Sequence, residues 1–192
     1  MNYIHIFLQT SKPNSLHIFE NHKIRNSSVI AIKTHQTYTK KQNPYKFKRA
    51  ILIVRDPVQA LQAEFNWQAN NNQTGYAPDK DFNSTRWKTF VKQGIIKWET
   101  FYTNWHKLFP DPSNKHVLFY DDLIADTGKE LQKLLKFLNI EITESQMNCV
   151  IKNKEGFYHR RKKKVDSKKI FDKKMLNNIK IIKKRVYKML KT

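Results

Sequence analysis

Glycine is nearly missing from this chain. There are four in 192 residues and none before Gly75, which excludes a glycine-built phosphate loop from the first 74 positions. Cysteine is scarcer still: Cys149 stands alone, so no intrachain disulfide and no cysteine-based metal cluster can form. Acidic residues are in short supply, with 16 Asp and Glu against 37 Lys and Arg, a formal charge of +21. Such an excess points to polyanionic partners: a nucleotide, a nucleic acid, a sulfated or sialylated glycan, or an anionic membrane. No apolar run approaches membrane-spanning length, and the mildly apolar start (residues 1–8) is too short and lacks the basic flank of a secretory signal, so the chain as given reads as soluble. RNP-type aromatic motifs, a helix-turn-helix signature and zinc-ligand spacing are all missing as well. The three N-glycosylation sequons, at Asn26, Asn72 and Asn83, are no more than an Asn-rich chain offers by chance.

What is present centres on residues 50–57, Ala-Ile-Leu-Ile-Val-Arg-Asp-Pro. The unbroken, β-branched run 50–54 predicts a strand buried on both faces, as in a parallel sheet. Pro57 suits the first turn of a helix, which Val58, Leu61, Glu64 and Phe65 continue at helical spacing. Arg55 and Asp56 therefore fall at the carboxyl end of a strand, where open α/β sheets bind ligands. A planar guanidinium there suits a phosphate. It serves equally well to pair a carboxylate and hold the turn.

A second short strand over 28–32 ends in Lys33-Thr34-His35. His35 has the side chain that accepts a proton near neutral pH, and Lys33, two residues earlier, would point to the same side of the strand. Taken alone, such a triplet is commonly structural. A polar loop (39–48) leads to the central strand. A long turn-rich stretch, 70–86, follows the central helix and is of a length often found in functional loops. Residues 87–107 carry Trp87, Phe90, Val91, Ile95, Trp98, Tyr102 and Trp105 at three- and four-residue steps, a helix whose aromatics read as core. Pro110 and Pro112 mark a turn, and 116–120 a third strand. Asp121 and Asp122 are expected to cap a helix bearing Leu123, Leu131, Leu134, Leu135 and Leu138, with a break near Gly128. A shorter helix over 144–153 is followed by Lys154-Glu155-Gly156 and by the densest basic run, residues 157–164, which includes Arg160 and Arg161. That run reads as a solvated tract, a polyanion patch or a phosphate-binding loop. A lysine-rich amphipathic helix is expected over 176–190, with Ile179, Ile182, Val186, Met189 and Leu190 as its apolar stripe.

Three separated pieces in this order resemble the sulfotransferases that use 3'-phosphoadenylyl sulfate: the strand ending Lys33-Thr34-His35, the strand–Arg55-Asp56-Pro57–helix unit, and the late Lys154-Glu155-Gly156 basic loop. The surrounding wording resembles the sulfotransferase-like region of WSC-domain-containing proteins, in 51–57, Ala63-Glu64-Phe65-Asn66, Gly75-Tyr76-Ala77, 120–123, Phe137-Leu138-Asn139 and 153–156 with Arg160-Arg161. The resemblance implies an α/β, three-layer P-loop-type fold with a central parallel sheet. It implies three parts: an unassigned segment (1–28), a sulfotransferase-like domain (29–164) and a basic C-terminal helix (165–192). By the same resemblance Arg55 holds the 3'-phosphate, and Lys154, Glu155, Gly156, Arg160 and Arg161 complete that clamp. His35 is the general base and Lys33 lies near the transferring group. No metal is required, the acceptor is a glycan hydroxyl with sialic acid one candidate, and the location is the Golgi or a secretory membrane. Two departures stand out. Ala63 occupies a position where many members carry a phosphate-binding serine. The family's phosphosulfate loop, which depends on glycine, has no counterpart before Gly75. The expectation is a domain truncated at its N-terminus or degenerate, with little activity alone and an open strand edge where a central strand should stand. The alternative is a non-enzymatic polyanion- or nucleic-acid-binding module, for which the charge and the 160–164 run argue.

Overall fold

A computed structural model describes residues 6–9, 32–34, 49–70, 75–154 and 167–191. Among these residues the sheet has four strands, β1 (Ile6–Gln9), β2 (Ile32–Thr34), β3 (Arg49–Val54) and β4 (Lys115–Phe119), in the order β2-β1-β3-β4. β3 and β4 are parallel, with Leu52 opposite Val117 and Val54 opposite Phe119. β1 is antiparallel to both neighbours, pairing Ile6 with Thr34 on one side and with Leu52 on the other. Strands β2, β3 and β4 therefore run one way and β1 alone is reversed. β1 stands between β2 and β3, and its backbone groups pair with both strands, so no strand edge lies open there.

The expected central unit is present. β3 is followed by Arg55 and Asp56 and by α1 (Pro57–Asn70), which begins at the proline. Asp56 caps α1: its Oδ1 accepts from the Val58 N–H at 2.9 Å. Two-residue alternation in β3 divides the molecule into layers. Ala50, Leu52 and Val54 face a core shared with α1, α2 (Thr85–Leu108) and, beyond residue 166, α6 (Ser167–Ile170) and α7 (Lys173–Leu190). On the opposite face, Arg49 stacks over Phe137 at 4.0 Å, and His116, opposite Ile51, lies 5.3 Å from the same ring. Phe137 belongs to α4 (Thr127–Leu138), so helices cover both sides of the sheet.

The aromatic spacing of α2 is core packing, as read: Trp87, Trp98, Tyr102 and Trp105 are fully buried. Ser84 caps this helix, its hydroxyl accepting from the Trp87 N–H at 3.1 Å. The helix expected after β4 is two helices, α3 (Tyr120–Ala125) and α4. Asp121 and Asp122 lie in the first turn of α3 rather than capping it, and the break expected near Gly128 is present, at Asp126. Asp126 makes it by capping α4, its Oδ1 accepting from the Lys129 N–H at 3.0 Å. α4 ends at Asn139, whose left-handed φ of 57° closes the helix. α5 (Glu144–Lys152) opens with a reciprocal Thr143–Gln146 capping box. α7 buries Ile179, Ile182, Val186 and Leu190, so its apolar stripe packs inward.

Candidate active site at the carboxyl ends of β3 and β4

Parallel pairing brings the carboxyl ends of β3 and β4 side by side, with Arg55 after one and Tyr120 after the other. The Arg55 guanidinium stands 5.0 Å from the centre of the Tyr120 ring. Its Nε is buried and has no hydrogen-bond partner. A buried guanidinium N–H without an acceptor is costly unless something supplies one. Among the described residues no carboxylate forms an ion pair with Arg55. Its neighbour Asp56 is engaged elsewhere: Oδ2 accepts from Lys183 Nζ of α7 at 2.6 Å, while Oδ1 caps α1. The carboxylate-pairing role open to a strand-end arginine is thus not the one taken.

The surroundings are packed and hydrogen-bonded. Tyr102, fully buried in α2, donates its hydroxyl to the Ile53 carbonyl at 2.7 Å, one residue before the strand ends. Burial pushes that hydroxyl far above the ordinary tyrosine range. Tyr187 of α7 packs on Phe119, ring centres 4.8 Å apart, with Lys183 Nζ 5.1 Å from its own ring. Burial raises its pKa as well, and the nearby charges of Asp56, Asp121 and Asp122 add to this. At the opposite end of β4, Lys115 and His106 Nδ1 are 2.8 Å apart. Burial lowers the pKa of both, and the lysine charge depresses that of His106 further.

Other expected residues are placed only in part. Lys33 lies in β2, in register with Phe7 of β1. His35, Glu155, Gly156, Arg160 and Arg161 lie outside the described residues. Lys154 is exposed in the turn after α5. Lys183 and Tyr120 also stand at the site, although no sequence motif marks them as part of it. Tyr120 directly follows β4, in a stretch already noted for its wording, whereas nothing near Lys183 in sequence signals its partner 127 positions away.

A strand-end arginine with an unpartnered Nε stands on a parallel pair covered by helices in an α/β fold, and sequence comparison gives the class a name. The chain belongs to the sulfotransferase domain family, whose sequence model matches residues 5–188. Among its relatives is the WSCD family member CG9164 of Drosophila melanogaster, 38% identical over 148 residues, which cover 76% of this chain and 45% of that protein. The WSCD family member GA21586 of Drosophila pseudoobscura pseudoobscura is 35% identical over 175 residues, covering 90% of this chain and 54% of that one. The chain thus spans about half the length of the curated relatives it matches. The crystal structure of mouse sulfotransferase SULT7A1 complexed with PAP is similar with a TM-score of 0.52 at 18% identity, covering 71% of this chain and 57% of that one. That likeness shows the fold.

Proposed function

We propose that this chain binds 3'-phosphoadenylyl sulfate and serves sulfate transfer to a glycan hydroxyl, with sialic acid one candidate acceptor. The observation that carries the reading is the buried, unpartnered Nε of Arg55 at the joined carboxyl ends of β3 and β4. A 3'-phosphate oxygen is an acceptor of the chemistry that this N–H lacks. Membership of the sulfotransferase domain family and the PAP bound by the similar mouse enzyme support the choice of nucleotide. Tyr120 sets the plane against which Arg55 lies. Lys183 occupies Asp56, so the carboxylate does not compete for Arg55. Lys154, Glu155, Gly156, Arg160 and Arg161 would complete the nucleotide clamp.

The co-substrate supplies an activated sulfuryl group, and the protein's share is position, a base and cations. His35 is assigned to take the acceptor's proton, and Lys33 to offset charge near the transferring group. Residues 1–74 hold no glycine for a phosphosulfate loop, so the chain by itself is expected to turn over poorly. A Golgi or secretory-membrane location goes with the same reading.

The test is thermal melting with and without adenosine 3',5'-bisphosphate at physiological salt. A ligand that binds only the folded state adds about 2.7 kcal/mol of stability at a hundredfold excess over Kd. The melting temperature is expected to rise in the native chain and not in Arg55→Ala. No rise in a natively folded chain would overturn the assignment. The polyanion-binding module, favoured by the +21 charge, would then take its place.

A further inference from the structure

Helix α7 contains no acidic residue. Two of its cations are engaged by the fold, Lys183 on Asp56 and Arg185 on Glu99 of α2 at 3.1 Å. The two helices run in the same direction: Trp87 meets Phe171 near their starts, ring centres 4.9 Å apart, and Glu99 meets Arg185 further along. One turn before that ion pair, each helix presents an isoleucine to solvent. Ile96, three residues before Glu99, is 54% exposed, and Ile181, four residues before Arg185, is 64% exposed. These spacings put both isoleucines on the ion pair's side of their helices and at the same level. Lysines surround them at helical steps. Lys92 lies one turn before Ile96, and Lys184 and Lys188 lie one and two turns after Ile181, all exposed.

We propose that this α2–α7 face rests on an anionic lipid surface, with the lysines at the headgroups and Ile96 and Ile181 entering the boundary beneath them. Basic residues near an anionic leaflet draw a protein to it, and apolar side chains among them add burial that a purely ionic contact lacks. A nucleic acid or an acidic glycan would account for the lysines and leave the paired isoleucines without a role. The helix cannot offer its other side instead, because Ile179, Ile182, Val186 and Leu190 are already in the core. The contact lies apart from Arg55 and does not depend on nucleotide binding.

The test is co-sedimentation of the full chain with vesicles of phosphatidylcholine, alone or mixed with phosphatidylserine, at physiological salt. Binding is expected only to the mixed vesicles. At about fivefold in affinity per basic residue, the Lys184→Glu/Lys188→Glu variant is expected to bind at least about 25-fold more weakly. Ile96→Ser/Ile181→Ser is expected to weaken vesicle binding several-fold while leaving heparin binding unchanged. All four side chains are exposed, and unchanged melting verifies that the variants fold. Equal sedimentation with neutral vesicles would overturn the proposal, as would indifference to the charge reversal. So would a serine variant that binds mixed vesicles as tightly as the native chain, for the face would then be a site for soluble polyanions.

Discussion

The hydroxyl of Tyr102 ties α2 to β3 one residue before the strand ends. Tyr102→Phe leaves the ring in place and removes the donor to the Ile53 carbonyl, which is expected to cost about 1–2 kcal/mol in urea denaturation. His116 makes a different test, because burial holds its pKa below the usual value and its Nε2 is buried without a partner. A depressed folded-state pKa means that the unfolded chain takes up the proton first as pH falls. Stability is therefore full above about pH 6.5 and is lost below it. His116→Gln is expected to flatten the fall in melting temperature across that window relative to the native chain. A parallel fall in both proteins would remove His116 from the account. At this scale Arg55 was legible from sequence, because a β-branched run followed by Arg-Asp-Pro defines a strand end and a helix start within eight residues. Lys183 was not legible, because a lysine on a lysine-rich helix carries no mark of the carboxylate it meets.

Elements were legible wherever local periodicity decides them. α1, α2 and α7 follow the apolar spacing, β3 is the unbroken apolar run, and Pro57 marks the start of α1. The break between α3 and α4 falls close to Gly128 as expected, but it is the capping carboxylate of Asp126 that sets it. Several stretches of family-like wording turn out to hold elements together. The Asn66 side chain accepts the Ala77 N–H at 2.8 Å, joining two of those stretches, and Asn139 closes α4. β1 escaped notice because four residues are too few to show a period. Helix α1 crosses α2 at Gly94, where an added Cβ would lie 2.4 Å from Leu61 Cδ2. Overpacking costs about 1–3 kcal/mol against a helix-propensity gain of about 1 kcal/mol, and Leu61 is buried in the core. Gly94→Ala is expected to lower stability by about 1 kcal/mol net. In that background Leu61→Ala should cost less than it does in the native chain, and equal costs would show that the crossing is loose.

Across the whole molecule, charge and connectivity matter most. With +21 charges, nonspecific RNA binding at low salt is expected and should collapse as salt rises to the physiological level, while Arg55-dependent nucleotide stabilisation persists. Filter binding and melting at matched salt would separate the two. The bridge from Asp56 to Lys183 spans 127 positions. The β3–α1 unit leaves the ribosome long before its counter-charge and before the α7 isoleucines that help cover it. At typical translation rates the wait is roughly 6–25 s. Throughout it, the apolar face of a newly made strand and helix is open to chaperones and proteases, so yield in cells should follow how quickly residues 173–190 are delivered rather than how fast the sheet can pair.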